Sequence, residues 1–184
     1  AGTFTPGTGV VTFDKSSGTQ TITSNGSSFY MVTHIGAGVL QLSDNLITTS
    51  SLNNHQNAAG EAGNFDANGK DITVTGWIRA YDSTFLASTG TITATAGSGL
   101  AIYESGIFDG GSATLNFRNV QIGGTGNLGT LIASSGTMTV TNDFTYNAGG
   151  TFTHSNGTVK FTGTFDGAGT ITSTAAFYNL TIDA

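Results

Sequence analysis

Residues 135–163, SGTMTVTNDFTYNAGGTFTHSNGTVKFTG, decide the fold. Thr137-Met138-Thr139-Val140 and Val159-Lys160-Phe161 alternate polar with apolar side chains, and Phe152 sits between two threonines. Successive side chains of a strand point to opposite faces, so strict alternation marks a strand buried on one side. Asn147-Ala148-Gly149-Gly150 and Ser155-Asn156-Gly157 separate these runs. Asn and Gly tolerate positive φ, which tight turns need. The stretch therefore reads as short strands joined by turns.

The same period runs outward in both directions. Val11-Thr12-Phe13, Thr21-Ile22-Thr23, Leu40-Gln41-Leu42, Ile72-Thr73-Val74, Thr91-Ile92-Thr93, Thr114-Leu115-Asn116-Phe117 and Leu180-Thr181-Ile182 all alternate. No window carries an apolar stripe at helical spacing, and Gly and β-branched Thr disfavour helix. The chain reads as all-β.

Its two ends echo each other. Gly2-Thr3-Phe4-Thr5 recurs as Gly150-Thr151-Phe152-Thr153, Val11 and Phe13 as Val159 and Phe161, and Phe29-Tyr30 as Phe177-Tyr178. All share one offset of 148 residues, the distance from Gly2 to Gly150. Segments 1–34 and 150–184 thus read as related repeats within one domain of 184 residues.

Composition narrows the function. Charged residues make up 9% of the chain, against about 25% in ordinary domains. The net charge is −6 with five Lys and Arg, so no basic stripe is available to neutralise phosphates, and a nucleic-acid partner is not expected. No apolar run approaches the ~18 residues that span a bilayer as a helix. Cysteine is absent, so burial and backbone ladders alone must hold the fold. A Thr/Ser/Gly-rich, Lys-poor surface fits an extracellular or cell-surface setting. The chain opens on Ala1, which suggests a processed or excised chain.

Two architectures compete: a parallel β-solenoid, in which each coil stacks on the last, and an antiparallel β-sandwich. The solenoid is favoured by its thin inward set of Phe, Val, Ile and Leu, by outward Thr, Ser and Asn that can form ladders between coils, and by the 148-residue echo. A coil of about 20 residues would give about nine coils. Residues 51–63 break the alternation and read as a loop insertion. Such a loop is either a recognition element or a solvated excursion, the second being the simpler reading.

The segments GTFTPGTGVVTF, FDANGKDITVTG, SGTMTVTNDFTYNAGGTFTHSNGTVKFTG and AFYNLTIDA resemble repeats of secreted bacterial β-helix proteins of the adhesin-like and autotransporter-like kind. The resemblance covers most of the chain except residues 51–63. It implies a right-handed parallel β-helix on an extracellular surface or fibre, and no particular activity.

No sequence signature of catalysis stands out, so an enzyme is not expected and no cofactor is called for. The nine Asp and two Glu form no evident pair, and several Asp sit in turns. A calcium ion is the one metal to consider, at Asp66, Asn68 and Asp71, where three oxygen-bearing side chains share a Gly-containing turn. Asn54, His55, Trp77 and Tyr81 are candidates for binding a glycan or a host surface. Asn25, Asn156 and Asn179 head glycosylation sequons. The favoured role is structural: a unit that stacks on copies of itself into a filament or forms part of a longer surface fibre. Phe4, Phe13, Phe29, Tyr30, Phe152, Phe161, Phe177 and Tyr178 are the candidate assembly residues. The alternatives are a glycan- or surface-binding adhesin module, and a phage tail-fibre or carbohydrate-active β-helix.

Overall fold

The computed structural model describes residues 5–56, 58–124, 128–163, 171–172 and 176–183. It is a parallel β-solenoid of about seven turns with no helix among those residues. Each coil visits three faces in a fixed order. Face one carries Val10–Phe13, Met31–His34, Leu52–His55, Trp77–Tyr81, the second half of Thr91–Tyr103, the second half of Thr114–Ile122, and Phe144–Tyr146. Face two stacks Thr19–Ile22, Val39–Leu42, Asn64–Asp66, Thr84–Leu86, Ile107–Asp109, Gly129–Ile132 and Gly150–Thr153. Face three runs from Ser28–Phe29, Leu46–Thr48 and Ile72–Val74 through the first halves of the two long strands to Thr137–Val140, Thr158–Phe161 and Asn179–Ile182. Neighbouring strands pair in parallel, as stacked coils require and a meandering sandwich does not.

The alternation read from the sequence sets which side chains enter the core. On face two one inward column runs Gln20, Leu40, Phe65, Phe85, Phe108, Leu131, Phe152. Phe65, Phe85 and Phe108 stack nearly parallel, with ring centroids 4.7 and 5.0 Å apart. On face three the columns Leu115, Met138, Val159, Leu180 and Phe117, Val140, Phe161, Ile182 do the same work. The outward positions there form threonine ladders such as Thr91 with Thr114 and Thr137 with Thr158. β-Branched side chains pack well on a pleated surface, so these ladders reinforce the parallel register.

Coil length is where sequence and structure part. Register partners advance by as few as 19 residues (Ser28 to Ile47) and by as many as 27 (Phe144 to Ile171). A uniform coil of about 20 residues therefore overcounts, and about seven turns replace about nine. The strands keep register because the corners absorb the difference. Residues 51–63 are not one loop: Leu52–His55 is a strand paired on both sides, with Val32 and Ile78 flanking Leu52. Its inward residues are Leu52 and a buried Asn54, and the polar inward position hid the alternation. The excursion is the corner 56–63, eight residues long where the next two coils use two (82–83) and three (104–106).

The echoing segments sit in different phases of the coil. Val11 and Phe13 belong to face one, whereas Val159 and Phe161 belong to face three.

Corners also fix some glycines. Gly99 sits at φ +135°, and a Cβ there would meet the carbonyl and amide of Asn119 in the next coil. At Gly26, by contrast, φ is +77° but the space around a Cβ is open. Gly99→Ala is expected to destabilise by about 1–3 kcal/mol and Gly26→Ala by less, since only the first adds a clash to the strain. Urea unfolding of the two variants side by side checks the order.

Candidate functional site

The corner from face one to face two builds one site from three successive coils. Outward positions at the end of face one stack His55, Tyr81 and Tyr103 in register, with Ile35 one coil earlier. Tyr81 and Tyr103 stack ring on ring, 5.2 Å between centroids and 23° from parallel. Burial pushes both phenol hydroxyls above their ordinary pKa. The residues that follow, Gln56, Asp82 and Glu104, form a second ladder. Gln56 Nε2 donates to Asp82 Oδ2 at 2.9 Å, and the Ser105 amide donates to Asp82 Oδ1 at 2.8 Å. The Asp82 and Glu104 carboxyls are hydrogen-bonded to each other, which raises the pKa of Glu104 and lowers that of Asp82.

Asp82 and Glu104 both turn the corner with positive φ, 44° and 57°. That shared conformation places their carboxyls side by side. A cavity of about 640 Å³ opens here, lined by Ile35, His55, Gln56, Ala58, Tyr81 and Glu104. Its size lies within the range of small-molecule sites, roughly 300–1,000 Å³. Tyr103 covers one face of the Tyr81 ring. The lining residues 35, 55, 56 and 58 come from earlier coils, on the opposite side of that ring. Tyr81 lines the cavity together with His55, its register partner on that side. His55 Nδ1 lies 2.9 Å from the Gln56 carbonyl; a carbonyl only accepts, so Nδ1 carries the proton and Nε2 is left as an acceptor.

Behind this corner lies a buried polar pair. Asn54 Nδ2 donates to the Thr84 carbonyl at 2.8 Å, which turns Asn54 Oδ1 toward His34 Nδ1 at 2.7 Å. His34 is 1% exposed and Asn54 0%. Burial lowers the His34 pKa; the Asn54 hydrogen bond opposes it, and His55 adds to it.

The four candidate binding residues thus divide. His55 and Tyr81 share the cavity. Asn54 is a core residue that positions the strand. Trp77 shares the outer surface of face one, half-buried, with the Arg79 guanidinium 5.8 Å from its ring, and it does not line the cavity.

At the calcium candidate three carboxylate oxygens have protein partners. Asp66 Oδ1 accepts from the Asn68 amide at 2.7 Å and Oδ2 from Gln41 at 2.8 Å. Asp71 Oδ1 accepts from the Thr91 amide at 2.8 Å, one coil on. No three His, Asp or Glu side chains gather into a metal-binding group among the described residues. Asn25 and Asn156 are exposed in turns at φ +50° and +62°, and Asn179 is exposed on the last strand of face three.

Of the assembly candidates, Phe4 lies outside the described residues. Phe13, Phe29, Phe152 and Phe177 are half-buried against the core, and Tyr30 is half-buried. Phe161 is corrected outright: it is 0% exposed because Ile182 pairs beyond it, so it cannot meet another molecule. Tyr178 is 59% exposed and stacks on His154 at 5.3 Å.

Sequence reading missed Asp82 and Glu104 because they stand one coil apart. A signal was present: Tyr81-Asp82-Ser83 and Tyr103-Glu104-Ser105 repeat an aromatic–acid–serine triplet. Among the described residues no helix is long and apolar enough to cross a membrane. No protein-family model matches this sequence, and neither curated proteins nor solved structures give a match to it.

Proposed function

We propose that this chain is a structural segment of an extended fibre, its last coil covered by the first coil of a second copy. One observation carries the reading. Leu180 and Ile182 continue two buried columns, beyond Val159 and Phe161, yet they are 47% and 59% exposed. Every earlier member of those columns gains its burial from the coil that follows. An exposed strand edge with uncovered apolar positions is a template for another strand.

Two features support a copy of this chain as the occupant. The coil visits faces one, two and three in turn; its last strand, Asn179–Ile182, lies on face three and its first, Val10–Phe13, on face one. A strand of face one is what the coil order calls for after Asn179–Ile182. The contact is also heterologous, end to opposite end, which extends into filaments when it does not close. The low charge density and the likeness to secreted bacterial β-helix surface proteins are in keeping with an extracellular fibre.

Electron microscopy and light scattering across a concentration series test this. Rods in multiples of one unit length are expected, growing with concentration. Leu180→Asp with Ile182→Asp should hold the protein monomeric, since each buries a carboxylate where an apolar column continues. Monomers of the unaltered chain at every concentration would overturn the reading and assign the covering coil to a longer chain instead.

A further inference from the structure

We propose that the corner cavity beside Tyr81 binds a neutral sugar residue, packed against the Tyr81 ring and held at its rim by Gln56, His55 and Glu104. This site is independent of end-to-end assembly, because it lies on the side of the rod, built from coils well inside both ends.

The chemistry of the lining selects the ligand. A sugar ring presents a face of C–H groups and a rim of hydroxyls. It needs one flat apolar wall and a few polar groups around it. Tyr81 supplies the wall, and its ring is held in place by Tyr103 stacked behind it. Ile35 and Ala58 add apolar surface. The rim groups are matched to hydroxyls, which both donate and accept. Gln56 gives one of its two amide N–H groups to Asp82, and its carbonyl oxygen is an acceptor. His55 spends its Nδ1–H on the Gln56 carbonyl and keeps Nε2 as an acceptor. Glu104, tied to Asp82, presents carboxyl oxygens at the cavity edge.

Charge excludes the acidic sugars. Glu104, tied to Asp82, is in the cavity lining, and no Lys or Arg is among the described lining residues, on a chain of net charge −6. A carboxylated or sulfated sugar would be repelled, and buried like charges oppose binding.

The rungs also hold the site rigid before any ligand arrives. His55, Tyr81 and Tyr103 come from strands paired in register, and Gln56, Asp82 and Ser105 are already hydrogen-bonded across coils. Little ordering entropy remains to be lost on binding.

The test is an array of neutral hexose and N-acetylhexosamine oligosaccharides beside sialylated and sulfated ones. Calorimetric titration with the neutral disaccharides that respond then follows. Binding confined to neutral glycans is expected, about tenfold weaker for Tyr81→Ala. Tyr178→Ala, far from the corner, should bind as the unaltered chain does. The monomeric Leu180→Asp/Ile182→Asp protein should also bind normally, which separates this proposal from the assembly reading. Silence across the array, a response to charged glycans alone, or undiminished binding by Tyr81→Ala each overturns the proposal. Should Tyr81→Ala fail to fold, Glu104→Ala at an exposed carboxyl decides: unchanged affinity for the neutral disaccharide sinks it.

Discussion

Phe85→Ala is expected to lower unfolding free energy by about 3–5 kcal/mol, the largest effect of any single truncation proposed for this protein. Phe85 is 0% exposed and lies between Phe65 and Phe108, whose rings stack on it at 4.7 and 5.0 Å. Truncation removes apolar burial and leaves a void that the parallel strands on either side cannot close. Their spacing is fixed by backbone hydrogen bonds at about 4.8 Å. The loss also falls in mid-rod, where each coil contacts only its neighbours, so the two halves lose their coupling. Urea unfolding followed by circular dichroism and by the fluorescence of Trp77 gives the shift. Phe85→Leu should cost much less, and a drop under about 1 kcal/mol for Phe85→Ala would mean that the aromatic column is loosely packed.

Asn54→Ala is expected to cost about 2–5 kcal/mol, because it strips partners from two buried groups at once. The Thr84 carbonyl loses its donor and the His34 imidazole its acceptor. The unaltered protein should show the related acid response. Burial lowers the folded pKa of His34 below its ordinary 6.5. Above that value both folded and unfolded chains hold a neutral ring, and pH has no leverage through this group. Below it the unfolded chain takes up a proton that the folded chain refuses, so stability falls as pH drops from 6.5 through the folded value. Denaturant midpoints between pH 8 and 5 test the sign; His34→Leu should flatten this part of the profile.

The inward columns were legible because period-two alternation maps directly onto a half-buried strand. Val159, Phe161, Leu115 and Phe117 all fall where the pattern places them. Corner length was not legible, since two to eight residues can join the same two faces and nothing in a turn's composition counts the residues of a coil. The strand Leu52–His55 was missed for a different reason: an inward Asn54 pairs with an inward His34 one coil earlier, and polar residues that satisfy each other across coils look like loop in a single line of sequence. Half of the corner site was visible, His55 and Tyr81, while Asp82 and Glu104 needed the register to bring them together. The 148-residue echo joins segments on different faces, so shared Gly, Thr and Phe spacing marks a common strand-and-turn grammar that fits more than one side of the coil.

The parallel stacking has a mechanical consequence. Hydrogen bonds between coils point along the rod, so tension along its axis loads them end-on. A pull applied to the last coil is carried by every rung in series, and the Asn179–Ile182 rung, with the Lys160–Asp183 ion pair beside it, is paired on one side alone among the described residues. Failure then travels coil by coil, each rung peeling at the same modest load. A sideways pull instead shears many rungs together and meets their combined resistance. A rod of this kind is stiff to bending and shear but yields first under tension at whichever coil has no neighbour beyond it.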